Sequence, residues 1–202
     1  MDIYFSGDPR LEEHVRILGH IAHDWNSLEN CLEVMPWLYA TDPLIGLPLS
    51  RLTPRALEEV LVEISDHREN NAKIRDAIAF VIKVIRIIRE NRNVLVHSSH
   101  MSATSKTDVW WVRKNKSRPA EMTSNRANLR DLKALHASIG RLNRYMNDLI
   151  DVIGSQRGPL GPLWTPEGKP PPLPRRFPLP RKLVQNPPVL RRVKRQRQSS
   201  RE

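Results

Sequence analysis

Apolar residues recur at intervals of three and four positions through four stretches of the sequence, a spacing that predicts amphipathic helices. The first stretch covers Leu11–Met35 and stops at Pro36, which ends or kinks a helix. The second begins at Thr53–Pro54, where threonine suits the cap and proline the first helical position, and its pattern fades near His67. The loop TDPLIGLPLS, which contains three helix breakers, separates these two predicted helices.

The third stretch, KIRDAIAFVIKVIRIIRE, is apolar on most of its circumference, as expected of a helix in the centre of a bundle. Its β-branched residues also suit a strand, but its length of about 25 residues favours a helix. A fourth helix is predicted from about Asn125 to Ile153. The intervening segment TSKTDVWWVRKNKSRP is either a short β-hairpin or an irregular excursion. These elements predict an all-α bundle of four to five helices.

Charge and proline content divide the chain after Gly154. The chain has 202 residues and a net charge of +11; residues 155–202 hold 12 Lys/Arg against two acids, and 11 of the 17 prolines. Such a segment cannot continue a helix and has too few large apolar residues to fold alone, so we expect a tail that is disordered or polyproline II in character. Residues 1–154, with a balance of only +1, form the predicted helical domain. The tail therefore supplies the attraction to polyanions.

Several classes of protein are excluded by what the sequence lacks. Its single cysteine, Cys31, rules out a disulfide framework or a multi-cysteine metal site, and a buried position in the first helix is its simplest role. No apolar run is long enough to span a membrane and no secretory signal is visible, so we expect a cytoplasmic protein. Glycine-rich phosphate loops and paired carboxylates are absent as well, and we expect neither a metal nor another cofactor.

Arg92 occupies an unusual position for a charged residue. In steps of 100° along the third helix, it projects within about 20° of Ile85, in the middle of the apolar face. A buried guanidinium is costly unless it meets a carboxylate, an interface or a ligand. The alternative is that the helix ends near Asn91 and leaves Arg92 in solvent. Asn93 and His97, which are four positions apart, share another face of the same helix.

The string RNVLVH at residues 92–97 is an R-N-x-x-x-H motif that follows the long apolar helix. It resembles the motif of HEPN domains, a family of small helical bundles that includes many prokaryotic toxin and defence ribonucleases. The first helix carries Trp25-x-x-Leu28-Glu29-x-x-Leu32, which resembles the first helix of several bacterial HEPN-like families. The resemblance covers roughly residues 10–153 and gives the tail no counterpart.

The resemblance implies metal-independent cleavage of RNA, in which a ribose 2′-hydroxyl attacks the adjacent phosphorus and a 2′,3′-cyclic phosphate results. His97 is then the general acid/base, since histidine titrates near neutral pH. Arg92 stabilises the phosphate, and Asn93 orients His97 or hydrogen-bonds the substrate. The family pairs two motifs across a cleft, which implies a homodimer, and such toxins usually have a cognate antitoxin. The alternative is a non-catalytic helical adaptor that binds RNA or a protein partner.

Other residues are candidates for supporting roles. Glu29 is a possible carboxylate partner of Arg92, or else a solvated residue of the helix surface. An aromatic pair followed by cations suits single-stranded RNA, or else fills the core beneath the connection: Trp110, Trp111, Arg113 and Lys114. A basic cluster in the tail suits phosphate binding, or else only keeps the chain soluble: Arg191, Arg192, Lys194, Arg195 and Arg197.

Overall fold

The fold of the protein was analysed in a computed structural model. It describes residues 9–40, 46–96, 100–103, 108–114, 122–157 and 171–183. Side chains are described for residues 11–40, 48–93, 128–157 and 171–183, so the segments between residues 100 and 127 contribute backbone positions only.

Four long helices and one short helical turn build the described part of the chain. In order they are α1 (Pro9–Trp37), the one-turn α2 (Gly46–Leu49), α3 (Pro54–Arg68), α4 (Ala72–Val96) and α5 (Leu129–Arg157). The all-α bundle that the sequence predicts is confirmed. A small β-sheet is inserted between α4 and α5.

The ends of two helices follow from residues that the sequence marks. Pro36 lies in the last turn of α1, which ends at the next residue, Trp37. The Oγ1 atom of Thr53 accepts a hydrogen bond of 3.3 Å from the Ala56 amide, and Pro54 is the first residue of α3. Thr53 therefore provides an acceptor for one of the amides that the start of a helix leaves unpaired. Pro54 has no N–H group, but at the first helical position this costs no hydrogen bond within the helix.

Helix α4 is antiparallel to both α1 and α5, whose C-terminal ends lie beside its start. Contacts between α1 and α5 advance along both helices together, from Glu13–Lys133 at one end to Cys31–Asn147, so this pair is parallel. As predicted, α4 buries residues on nearly every turn. Side chains from all four long helices meet in one core, whose largest fully buried members include Ile21, Trp25, Leu28, Leu61, Ile78, Ile85, Ile88 and Leu132.

The connection between α4 and α5 is a three-stranded antiparallel sheet with the order β1-β2-β3. Its strands are β1 (His100–Ala103), β2 (Asp108–Lys114) and β3 (Met122–Asn128). For this region the sequence allowed two alternatives, a β-hairpin or an irregular excursion. The backbone pairing agrees with a hairpin to which a third strand is added.

The predicted start of the fourth helix near Asn125 is wrong. Asn125 pairs with Trp111 in the sheet, and α5 begins only at Leu129. The reason lies at Asn128, whose Oδ1 atom accepts a hydrogen bond of 2.8 Å from the Asp131 amide and so caps the helix. Helical periodicity alone does not show that the residues before this cap pair with a strand.

Residues 171–183 of the tail form neither helix nor strand and lie along the bundle. Leu173, Phe177 and Leu183 are partly buried against the core. The sequence predicts the lack of regular secondary structure in this segment, and the contacts with the bundle are an addition to that prediction. The remaining residues of the tail beyond Arg157 lie outside the described part of the chain.

A buried carboxylate joins the four long helices at one end of the bundle. Glu69, which caps the C-terminus of α3 and is 3 % exposed, accepts a hydrogen bond of 2.7 Å from the Tyr39 hydroxyl that follows α1. It also accepts one of 2.8 Å from the Asn71 amide, just before α4. The Nε atom of Arg157, the last residue of α5, lies 3.3 Å from the same carboxylate. The buried charge is thereby both hydrogen-bonded and neutralised.

Burial, followed by the hydrogen bond to the Glu69 carboxylate, raises the pKa of the Tyr39 phenol well above its ordinary value. The folded protein therefore keeps a phenol protonated that the unfolded chain ionises near pH ~10. We expect full stability below that pH and a loss of stability as the pH rises above it. In Tyr39→Phe this loss is smaller, because the loss that remains comes from groups such as Tyr145 and Cys31, whose pKa values burial also raises.

At neutral pH, Tyr39→Phe is expected to lower the free energy of unfolding by about 1.5–3 kcal/mol, because the substitution removes a hydrogen bond to a charged group. Urea unfolding of both proteins at neutral pH and above pH ~10 measures the two effects. Equal stability and an equal alkaline decline in wild type and variant contradict the assigned role of Glu69.

Candidate functional site

Helix α4 carries Arg92 and Asn93 near its C-terminal end at Val96. The alternative in which the helix ends near Asn91 therefore does not hold. Arg92 is half-buried, as its position on the apolar face predicts, and Asn93 is half-buried beside it. Both side chains thus belong to the packed bundle and still reach its surface.

The guanidinium of Arg92 lies over the indole of Trp25 in the middle of α1, with Cζ 5.7 Å from the ring centroid. This is a cation–π contact, which holds the planar group against a buried aromatic face. The Nη1 atom donates a hydrogen bond of 3.3 Å to Asn93 Oδ1. The Nε atom is buried and has no hydrogen-bond partner in the described part of the chain. The side chain is therefore held by the ring and by Asn93, but not all of its hydrogen-bond donors have a partner among the described residues.

Glu29 contacts Trp25 and not Arg92. One of its carboxylate oxygens, Oε1, accepts a hydrogen bond of 2.5 Å from the indole Nε1 atom of Trp25. No ion pair joins Glu29 to Arg92 among the described side chains. The expected direct pair is therefore not formed, and Glu29 supports Arg92 by fixing the ring that the guanidinium covers.

The other arginines on the same half of α4 differ from Arg92 in their charge environment. Glu58 of α3, which is 1 % exposed, forms ion pairs with Arg86 and Arg89, the first with an Nε–Oε2 distance of 3.2 Å. One buried carboxylate thus balances these two neighbours. Arg92, one turn further along, has no carboxylate partner within the residues described. Among the described residues nothing balances its charge, and a guanidinium in that state is suited to binding a phosphate.

Several predicted site residues lie beyond the described side chains. His97 is outside the described residues, and so is the basic cluster of Arg191, Arg192, Lys194 and Arg195. The aromatic and basic pattern lies on β2, the central strand of the sheet, where only the backbone is described: Trp110, Trp111, Arg113 and Lys114. Arg92 with Asn93 is therefore the part of the candidate site whose geometry can be analysed.

A second polar group, which the sequence did not indicate, lies between α1 and α5. His136 Nε2 is 3.0 Å from Asp24 Oδ2, and the rings of His136 and His20 stack with centroids 5.5 Å apart. The sequence places Asp24 and His136 more than a hundred positions apart, so only the parallel packing of the helices brings them together. No group of three or more metal-ligating side chains able to hold a metal ion occurs within the described residues.

Cys31 is buried, as its position in the first helix predicts, and burial raises the pKa of its thiol. The thiolate, which is the reactive form, is therefore disfavoured. Its Sγ atom lies 3.8 Å from Asn147 Oδ1 on α5. Cys31 is thus a packing residue of the interface between α1 and α5.

No family model matches the chain, and no curated protein or solved structure matches it significantly. The fold therefore defines the class of the protein only as a helical bundle with an inserted sheet. None of the helices described here is both long and apolar enough to cross a membrane.

The environment of Arg92 leads to a prediction about its replacement by methionine. The substitution loses a cation–π contact of about 1 kcal/mol, but it also removes a buried Nε atom that has no partner among the described residues and costs about 1–3 kcal/mol. We expect Arg92→Met to be at least as stable as wild type, within about 1 kcal/mol, because the methionine side chain keeps the apolar stem. As a comparison, Trp25→Ala should lose about 3–5 kcal/mol.

Chemical denaturation of the three proteins measures these differences. If Arg92→Met loses stability on the scale of Trp25→Ala, Arg92 is a structural residue and its value as a functional candidate disappears. If Arg92→Met leaves the free energy of unfolding unchanged or raises it, Arg92 is not needed for stability and remains a candidate for a functional role.

Proposed function

We infer that the protein is a metal-independent endoribonuclease of the HEPN type, with a toxin or defence role. The observation that carries this proposal is the state of Arg92: half-buried, held on Trp25 and without a carboxylate partner among the described side chains. Such a guanidinium can bind phosphate oxygens without first breaking an ion pair. Its place in the R-N-x-x-x-H motif connects that charge with a histidine suited to proton transfer.

In the proposed reaction, His97 takes the proton from a ribose 2′-hydroxyl as the 2′ oxygen attacks the adjacent phosphorus. The bond between phosphorus and the 5′ oxygen breaks, and the leaving oxygen receives a proton from a histidine of the site. Arg92 stabilises the negative charge that develops on the phosphate oxygens. Asn93, which accepts a hydrogen bond from Arg92 Nη1, fixes the orientation of the guanidinium. The products are a 2′,3′-cyclic phosphate and a 5′-hydroxyl.

The remaining parts of the proposal concern assembly and partners. Arg92 and His97 are five positions apart, about 140° around an ideal helix, so one helix does not direct both side chains at one atom. A homodimer that places two motifs at a common cleft solves this geometric problem. The partners would be RNA and a cognate antitoxin, and the location cytoplasmic. Cations of the β2 strand and the tail would supply further contacts with RNA phosphates.

A second candidate function, that of a non-catalytic adaptor, is favoured by the contact between Arg92 and Trp25. A cation–π contact stabilises a bundle whether or not the arginine takes part in a reaction. On this alternative, the helical body and the basic tail bind RNA or a protein partner without cleaving it. Cleavage of RNA distinguishes the two functions.

The test uses purified full-length protein and a labelled single-stranded RNA in the presence of EDTA. Wild type should produce fragments that end in a 2′,3′-cyclic phosphate, identified by mass spectrometry. His97→Ala should lose about 100-fold or more in rate, because general acid–base catalysis contributes on this scale. His67→Ala is the matched control, since His67 is an exposed histidine of α3 whose ion pair is with Glu63 on its own helix.

Equal cleavage by wild type and His97→Ala contradicts the assigned catalytic role. The absence of cleavage by the wild type, together with tight binding of the same RNA, supports the adaptor. In either experiment, thermal unfolding of the variant checks that the substitution leaves the bundle folded.

A further inference from the structure

The tail segment 171–183 contains a six-residue repeat. Residues 172–177 are PLPRRF, and residues 178–183 are PLPRKL. Each copy has proline in the first and third positions, cations in the fourth and fifth, and a large apolar residue in the sixth. Such a proline content favours the polyproline II conformation, in which three residues complete one turn. Six residues are then two turns, so equivalent positions of the two copies face the same way.

The bundle contacts the same positions in both copies of the repeat. The third and sixth positions are half-buried: Pro174, Phe177, Pro180 and Leu183. The first and fourth positions are exposed: Pro172, Arg175, Pro178 and Arg181. Half-buried residues thus recur at every third position, as expected of a polyproline II strand that lies with one edge on the bundle.

The cation in the fifth position of each copy pairs with an acid of α4. Arg176 pairs with Asp76, and its Nη2 atom also donates a hydrogen bond of 3.0 Å to the Asp76 carbonyl oxygen. Lys182 Nζ lies 2.8 Å from Glu90 Oε2. The two acids are 14 positions apart, which is ~21 Å along a helix, and six residues of a polyproline II strand span ~19 Å. The spacing of the acids therefore matches the repeat.

The sixth position of the first copy, Phe177, is the anchor of the segment. Its ring meets Phe80 of α4 edge to face, with ring centroids 5.3 Å apart, and lies 6.1 Å from the ring of Tyr145 on α5. The guanidinium of Arg141 covers the ring, with Cζ 5.8 Å from its centroid. Grooves lined by aromatic side chains are the sites that bind polyproline strands in peptide-recognition domains.

Asn91 binds the backbone of the segment and is 3 % exposed. Its Nδ2 atom donates a hydrogen bond of 2.9 Å to the Arg181 carbonyl oxygen, and its Oδ1 atom accepts one of 2.8 Å from the Leu183 amide. A polyproline II strand has no internal hydrogen bonds, so its backbone groups are available for such a partner. These residues define the α4–α5 groove: Asp76, Phe80, Glu90, Asn91, Arg141 and Tyr145.

The segment lies in the α4–α5 groove as a bound peptide does. None of the side chains of residues 171–183 is fully buried. In the described part of the chain, no backbone–backbone hydrogen bond joins the segment to a helix. The ion pairs with α4 are exposed and individually weak. A second strand with the same pattern could therefore make every one of these contacts in its place.

We propose that the α4–α5 groove is a binding site for proline-rich basic strands of other molecules, and that the chain's own segment 171–183 occupies it as a replaceable ligand. The aromatic rings bind the large apolar residue of the repeat, the acids of α4 bind its fifth position, and Asn91 binds the backbone. This inference goes beyond the proposed function and does not depend on the cleavage of RNA.

The experiment uses the full chain and a fluorescein-labelled synthetic peptide with the sequence of residues 171–183, whose binding is measured by fluorescence anisotropy. Two variants weaken the chain's own segment outside the helices: Phe177→Ala removes the anchor, and Leu183→Pro removes the amide that donates to Asn91. The peptide should bind both variants about tenfold more tightly than wild type, because a tethered segment competes at a high effective concentration. Thermal unfolding checks that each variant is folded.

Altered peptides test whether the groove recognises the repeat. Against the Phe177→Ala protein, a peptide that itself carries Phe177→Ala should bind about tenfold more weakly, because it lacks the ring that meets Phe80. A peptide with Leu179→Ala is the matched control, since Leu179 is 42 % exposed. A peptide of the same composition in shuffled order keeps the charge but loses the threefold spacing, and it should also bind about tenfold more weakly.

A substitution in the groove tests the acids of α4. Asp76→Asn, introduced into the Phe177→Ala protein, should lower the affinity for the peptide about two- to fivefold, as expected for one exposed ion pair. Asp66→Asn is the matched control, since Asp66 is an exposed aspartate on α3.

Three results contradict the proposal. If the peptide binds neither Phe177→Ala nor Leu183→Pro, the segment is a fixed part of the fold and not a replaceable ligand. If the shuffled peptide binds as well as the native one, only charge attracts it. If wild type and both variants bind the peptide equally, the peptide binds outside the groove. Binding that depends on the repeat and on the weakened segment supports the proposal, whether or not the protein cleaves RNA.

Discussion

The Glu69 carboxylate is the constraint from which the arrangement of the helices follows. A buried charge is tolerated only with compensating partners, and those of Glu69 come from the residue after α1, the residue before α4 and the last residue of α5. Glu69 itself ends α3, so one group determines where four helices meet. Helices α1 and α5 end near Glu69, whereas α4 begins there. The rest of each helix therefore extends from Glu69 towards the other end of the bundle. Along that length the apolar faces of the four helices share one core.

The position of Arg92 is a consequence of that packing. With one end of α4 fixed near Glu69, its C-terminal half contacts α3, where Glu58 balances Arg86 and Arg89. The next arginine along, Arg92, faces an indole ring instead of a carboxylate. The body of the protein carries almost no net charge, so the +11 of the whole chain does not single out any of its residues. What distinguishes Arg92 from Arg86 and Arg89 is its place on an indole ring, with no carboxylate partner among the described side chains.

Sequence periodicity was sufficient for the long helices and for the inward direction of Arg92, because both depend on residues that are close together in the chain. It failed wherever a contact joins distant residues. The segment before Leu129 continues a helical pattern but pairs with β2, and only the cap at Asn128 separates the two. In the candidate site, the sequence left open whether Glu29 pairs with Arg92 or lies in solvent, whereas in the structure both side chains contact Trp25, Glu29 at the indole nitrogen and Arg92 over the ring. Which side chain faces which across two helices depends on their crossing, and a single sequence does not encode that crossing in a readable pattern.

Composition has the same limit as periodicity, because it does not show which distant residues contact each other, and the tail is an example. Proline and charge divide the chain after Gly154 into a folded body and a basic appendage, yet Asn91, near the end of α4, has its hydrogen-bond partners in that appendage. With the tail segment in place Asn91 is only 3 % exposed, and the backbone of that segment supplies the partners that a buried polar group requires. The presence of this asparagine makes sense if the helix and the tail segment form one structural unit. The bundle then extends to Leu183, and the amide that joins the two parts precedes the arginine on which the candidate site depends.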